Sequence, residues 1–272
     1  MPNYSLTAIN VGSFALGEAD RILTLFSAER GLVRAVAKGA RKPGTKIAGR
    51  ADVLNVNKLM LARGRSLDII VQAEQIESFP KLRQDLFRLA YGLYYAELTA
   101  QFGEGLEEEA EIFFGYLCQA LRLQAEAKGE PAILCLDFEL KLLELLGYKP
   151  ELDFCVGCRR VLSNPSIAVF DHELGGILCQ SCLVEDRRMQ RHQVAEASAD
   201  YRPEAGLSSS LKTHITPLVW QALVSASHDP ERHNAQVSAS ISRANTAGCR
   251  LIQTYIEHKA GRRMKALDLI KV

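Results

Sequence analysis

Cys155-Val156-Gly157-Cys158 is followed, after twenty residues, by Cys179-Gln180-Ser181-Cys182. Two thiolates two residues apart on a tight knuckle can share one metal ion. A second such knuckle completes a tetrahedron of sulfurs, the donor set that suits Zn²⁺. The competing readings are two disulfides, four ordinary buried cysteines, or a redox Cys-x-x-Cys. A redox motif normally stands once beside a βαβ pattern; here the pair comes twice, with zinc-ribbon spacing. Four sulfurs leave no open coordination position, so one structural Zn²⁺ is expected at Cys155, Cys158, Cys179 and Cys182. His172, between the knuckles, reads as a surface residue beside a complete ligand set.

Working outward, the ribbon over 151–183 is flanked by helical pattern on both sides. Upstream, Leu82, Leu86, Leu89 and Leu93 recur on one face as far as Phe102, with Ser78 as a cap and Pro80 in the first turn. Glu107, Glu108, Glu109 and Glu111 open a second helix, where carboxylates favour the positive end of the dipole. A third begins at Pro131 and is apolar nearly all round, which predicts a buried position at the centre of a bundle. Gly147 and Pro150 end it. Downstream, 187–210 reads as a loop or partly mobile connection. Helices resume over Thr216-Pro217 to about Ser227 and over about Val237–Lys259. Segments 80–150 and 184–272 therefore read as one α-helical domain, with the four-cysteine ribbon inserted into it.

Residues 1–79 alternate as strands: Tyr4–Ile9, Arg21–Phe26, Leu32–Lys38, Ala51–Met60 and Ser66–Gln75. Five short antiparallel strands suit a small β-barrel, OB-type first and SH3-like as the alternative. The fold class is thus α+β. Seven basic residues and no acid occur between positions 30 and 50: Arg30, Arg34, Lys38, Arg41, Lys42, Lys46 and Arg50. Arg34, Val36 and Lys38 share one strand face. Gly39–Lys46 nearly spells a phosphate-binding loop, but Thr45 precedes Lys46 and the segment joins two strands, which excludes that motif. A solvated charge run is the plain reading; the density of the run between barrel strands raises nucleic-acid binding above it.

A net charge of +1 over 272 residues hides this basic N-terminal region and the acidic run Glu104–Glu111. Cys118, Cys135 and Cys249 fall in helical patterns and read as reduced core residues. No signal peptide or membrane-spanning run is visible, so a cytoplasmic location is expected. No GxSxG, HExxH or dinucleotide fingerprint occurs, and no enzymatic activity is expected.

The order of basic barrel, helices, four-cysteine ribbon, helix and basic C-terminus resembles the bacterial RecO recombination-mediator family. The pieces that carry the resemblance are Gly17–Ser27 followed by Gly31, Val36–Arg41, and Leu145–Pro150 with Leu152 before Cys155. To these add Tyr255, His258, Gly261 and Arg262-Arg263-Met264-Lys265. The resemblance implies a DNA repair protein that binds single- and double-stranded DNA and anneals complementary strands. With RecR, it would help RecA replace single-strand-binding protein on DNA in the bacterial nucleoid, without making or breaking a bond. It further implies binding of the acidic C-terminal tail of single-strand-binding protein through the helical domain. Arg262, Arg263 and Lys265 are second candidates for DNA contact. A zinc-ribbon accessory protein of transcription or translation, using the same barrel on RNA, is the rival reading; an enzyme with an unrecognised site in the bundle is another.

Overall fold

The computed structural model describes residues 3–126, 130–196, 211–228 and 239–270. Five strands open the chain: β1 (Asn3–Leu16), β2 (Asp20–Ser27), β3 (Gly31–Ala37), β4 (Val56–Ala62) and β5 (Asp68–Glu77). They close a barrel in the order β1-β2-β3-β5-β4. The closing seam is a parallel pair, Ala35↔Asp68 and Val36↔Ile69. This is the OB-type barrel. Period-two alternation builds it: Leu23 and Leu25 of β2 point inward with Ala35 and Ala37 of β3, Leu6 and Ala8 of β1, and Leu59 and Leu61 of β4. A register shift between Asn10 and Gly12 bends β1, so that one strand serves both β2 and β4.

The strand expected over Ala51–Met60 is shorter and later. Residues Lys46–Arg50 form a short helix, α1, and β4 starts only at Val56. The reason lies at buried Asn10. Its side chain donates to the Ala51 carbonyl at 2.6 Å, and Leu54 N donates to its backbone oxygen at 2.8 Å, curling the chain around it. Lys46 and Arg50 thus sit on a helix, not in an open loop.

The helical run from Pro80 is two helices, α2 (Pro80–Gln84) and α3 (Leu86–Phe102), broken at Asp85. Ser78 is not the cap: Phe79 holds that position without a side-chain bond, while the Asp85 carboxylate accepts from Phe87 N and Arg88 N. A 3₁₀ turn (Gly103–Leu106) leads to α4 (Ala110–Ala125), and α5 spans Pro131–Leu145. Phe26, on the outer side of β2, meets Phe113 of α4 edge-on at 5.3 Å, and Tyr95 of α3 stacks on Phe138 of α5 at 4.1 Å. The barrel and these helices therefore share one core.

The chain divides into two compact units, 1–138 with 262–272, and 139–261. The cut falls inside α5, between Phe138 and Glu139, whereas the sequence pattern set the barrel, the helices and the ribbon apart as three segments. The helix is apolar nearly all round, with Ile133, Leu136 and Phe138 buried on one side of the cut and Leu140, Leu142 and Leu143 buried on the other. In the first unit the C-terminal segment returns to α3, where the Glu97 carboxylate accepts from Lys265 N at 3.0 Å and Ala266 N at 2.8 Å. A final short helix, α9 (Leu267–Ile270), follows.

In the second unit, β6 (Ile167–Asp171) pairs with β7 (Gly176–Cys179) and with β8 (Lys212–His214), a strand the sequence pattern did not reveal. Helix α6 (Gln180–Glu196) occupies the start of the segment read as a loop, and residues 197–210 of that segment lie outside the described residues. Helices α7 (Pro217–His228) and α8 (Ala239–Ala260) complete the unit; the predicted start of α8 at Val237 also lies outside the described residues. His172 is not at the surface. It is fully buried, shares a 2.8 Å hydrogen bond with Thr213 Oγ1 of β8, and packs beside Phe170. The β6–β8 pairing, invisible in local pattern, covers it. Cys118, Cys135 and Cys249 are buried cysteines.

Candidate metal centre and nucleic-acid interface

The four cysteine sulfurs converge to within 4.8 Å of one another. Cys158 Sγ and Cys179 Sγ lie 3.8 Å apart. That excludes a disulfide between them; it is close to the edge of a tetrahedron with metal–sulfur bonds of about 2.3 Å. The first knuckle hangs on β7 through Val156 N to the Ile177 carbonyl at 2.9 Å, and turns through Arg159 N to the Cys155 carbonyl at 2.8 Å. The second knuckle joins the end of β7 to the first turn of α6, which places Cys182 in that turn.

Two further details suit a metal-bound cluster. The Cys179 backbone N–H donates to Cys155 Sγ at 3.3 Å, and a Cβ on Gly157 would come within 3.1 Å of Cys182 Sγ. Burial raises the Cys179 thiol, but hydrogen bonds from Ser181, Cys182 and Cys155 outweigh it and bring it down to about 6. Burial and the neighbouring thiols push Cys182 the other way. Four sulfurs so crowded stabilise one thiolate at the expense of the next unless a cation sits between them. The donor set fits one four-coordinate metal ion.

The sequence-predicted basic residues sit on several different elements. Arg34 and Lys38 are exposed on the outward side of β3 and its end. Arg41 and Lys42 follow on a loop that packs against the β1–β2 turn: Gly39 N donates to Asp20 Oδ1 at 2.8 Å, Arg41 N to the Ala19 carbonyl at 2.9 Å, and the Arg41 guanidinium to the Gly17 carbonyl. Arg41 is therefore partly engaged in holding its own loop. Arg30 lies at the far end of β3, with its guanidinium 4.2 Å from the Tyr4 ring centre. Tyr4 donates to Asp68; burial and that carboxylate push its phenol up to about 12, and the same bond holds Asp68 low. Lys46 is exposed and Arg50 half-buried on α1. At the C-terminus, the Arg262 guanidinium donates to Gln101 at 2.6 Å and faces Glu97 at 3.4 Å. Arg263 pairs with Asp268 at 3.7 Å, and the Lys265 side chain is exposed.

Register adds what sequence reading missed. Phe14↔Ile22, Ile22↔Val36 and Val36↔Ile69 are successive cross-strand partners, so four apolar side chains form one row across the outside of the barrel. Phe14 is 66% exposed at the end of that row. The parallel seam also brings the β4–β5 turn beside β3, with Arg63 and Arg65 exposed on it. In the sequence these two arginines mark only a turn; their nearness to Arg34 depends on a pairing between strands that are distant in the chain.

Fold and site together define a protein with an OB-type barrel, a basic and partly aromatic outer face, and a separate cluster of four cysteines that could hold a metal ion. Residues 1–79 match the family profile described as Recombination protein O N terminal, and residues 83–199 match Recombination protein O C terminal. The chain is 37% identical over 227 residues to DNA repair protein RecO of Gloeobacter violaceus, covering 78% of this chain and 87% of that one. It is 38% identical over 183 residues to DNA repair protein RecO of Pelotomaculum thermopropionicum, covering 67% and 70%. Against DNA repair protein RecO of Nostoc, identity is 29% over 283 residues, covering 98% and 95%. The chain belongs to the recombination protein O family.

Proposed function

We propose that this protein is a DNA repair and recombination mediator that binds single strands across the outer β1-β2-β3-β5 face of its barrel. The carrying observation is the row Phe14, Ile22, Val36 and Ile69, with Arg34 and Lys38 on β3 and Arg63 and Arg65 on the adjoining turn. In OB barrels the β2–β3 face with its flanking β1–β2 and β4–β5 loops receives oligonucleotides. Cations neutralise phosphates and release counterions; an exposed aromatic ring offers any base a stacking partner. Screening of two backbones by the same face lets complementary strands approach and anneal, and no covalent step is involved. Family membership supports RecR as partner, RecA as the recombinase served, and the acidic tail of single-strand-binding protein as a ligand of the helical region. It also supports action on double-stranded DNA and a cytoplasmic location; no helix among the described residues is long and apolar enough to cross a membrane. Zn²⁺ on the four cysteines would hold the ribbon together and supply no chemistry.

Arg34→Ala, Lys38→Ala and Lys42→Ala combined should lower the log-log salt slope of single-strand binding by about 2, at ~0.7 per lost phosphate contact. Arg41 is left in place because it supports its loop. Phe14→Ala should weaken single-strand binding by about 1–3 kcal/mol per unstacked base while sparing duplex. Titration of matched DNA and RNA strands, followed by annealing assays, checks both. A triple variant with unchanged slope would remove the DNA from this face, and a preference for RNA would favour an RNA-binding role.

A further inference from the structure

The second unit holds an open groove of about 560 Å³ between β8, the start of α7 and one face of α8. Arg243, Ala247, Arg250 and Thr254 line it at helical spacing, so both arginines look into the same space. Both are exposed, and neither guanidinium has a hydrogen-bond or ion-pair partner among the described residues. Among the described residues, no carboxylate lines the groove. Its opposite wall includes Thr213 and Thr216. The Thr216 hydroxyl accepts from Val219 N at 3.4 Å, which leaves its own proton to donate. We infer that this groove is a second single-strand site, in which Arg243 and Arg250 take two phosphates of a DNA backbone.

The form of the groove decides among anionic ligands. A small molecule is normally held in a pocket that buries most of its surface. Here the lining is half-buried or exposed except for Leu251, so a ligand would pass along the groove rather than be enclosed. An acidic peptide needs a desolvated apolar pocket for its anchoring side chain. Among the described residues, Leu251 is the one buried apolar residue of the lining, with Val219 half-buried. A phosphodiester backbone asks for guanidinium and hydroxyl donors along an accessible surface, and both are present. Arg243 and Arg250 are two turns apart, about 10.5 Å along the axis, far enough to engage different phosphates. Exposed Ala247 between them leaves room for the backbone. A second strand site in a unit separate from the barrel gives annealing a place for a second strand. The inference goes beyond the barrel reading and stands or falls without it.

The test uses the full chain and a labelled oligothymidylate. Arg243→Gln with Arg250→Gln should lower the salt slope by about 1.4, at ~0.7 per contact, in the wild-type background and again in the Arg34, Lys38 and Lys42 alanine background. Arg243→Lys with Arg250→Lys should keep the slope. A loss only in the barrel variant then fails this inference alone, and a loss only in the groove variant fails the barrel reading alone. A second measurement needs no variant. In the wild-type protein, phenylglyoxal modification of Arg243 and Arg250, read by mass spectrometry, should be suppressed by the oligonucleotide. Equal modification with and without DNA would overturn the assignment. So would equal protection by inorganic phosphate at matched ionic strength, which would mean a free-anion site, or protection only by a glutamate-rich peptide, which would mean a protein ligand.

Discussion

His172 is the residue whose surroundings most change its chemistry. Its ring is buried among Phe170, Tyr255 and His258, and Thr213 bonds its Nε2. Burial first, and then the nearby His258, disfavour the charged form; Asp171 pulls the other way, Lys259 adds a smaller push, and the pKa falls from 6.5 to about 4. A folded pKa below the unfolded one means that the unfolded chain takes up the proton first. The resulting stability is complete above about pH 6.5 and is lost as pH falls toward 4, amounting to at most about 3 kcal/mol. Urea unfolding between pH 7 and pH 4 should therefore fall more steeply for the wild type than for His172→Gln, whose amide can still reach Thr213. Parallel pH profiles would show that the imidazole is not the titrating group. A sequence reader places this histidine at the surface for a physical reason: burial here comes from β8, about forty residues further on, and no local pattern carries that information.

Elements differ in how far local pattern specifies them. Metal-ligand spacing at Cys155, Cys158, Cys179 and Cys182 is a local property, and it brought the four sulfurs together as read. Alternation in β1, β2 and β3 and the apolar α5 are also local, and these elements lie where the pattern placed them. The β3–β5 seam, the row from Phe14 to Ile69 and the arginines of the β4–β5 turn depend on long-range pairing, which alternation cannot supply. Helix boundaries fail for a subtler reason. The sequence pattern reads Ser78 as the cap, but the carboxylate that reaches backbone donors is that of Asp85, with Phe87 N at 3.0 Å and Arg88 N at 3.1 Å. Ser78 Oγ instead accepts from the Gln75 side chain at 3.2 Å. Asp85→Ala should cost about 1 kcal/mol of stability, while Ser78→Ala stays within about 0.5 kcal/mol. Chemical denaturation of the two variants side by side decides which residue starts the helix.

At the scale of the whole chain, the four-cysteine cluster and the barrel belong to different units, and that separation predicts what loss of a metal ion bound there would do. A metal ion on the four cysteines would tie the knuckle at Cys155 to the end of β7 and the start of α6. Val156 N to Ile177 and Cys179 N to Cys155 are among the links that remain without metal. Structural zinc contributes about 10 kcal/mol or more in small modules. A ribbon lacking that contribution should open, with β6 and β7 losing their pairing. The barrel contains none of the ligands and keeps its own core of leucines and alanines. Freshly purified protein should carry one zinc per chain, and a strong chelator should expose four fast-reacting thiols beside the slow, buried Cys118, Cys135 and Cys249. Hydrogen exchange should then accelerate in Ile167–Asp171 and Gly176–Cys179 while β1 to β5 keep their protection. Binding of DNA to the barrel should retain the salt dependence contributed by Arg34 and Lys38. Uniform loss of protection across both units would mean that zinc supports the whole chain, and protection unchanged everywhere would mean that the four sulfurs hold no structural metal.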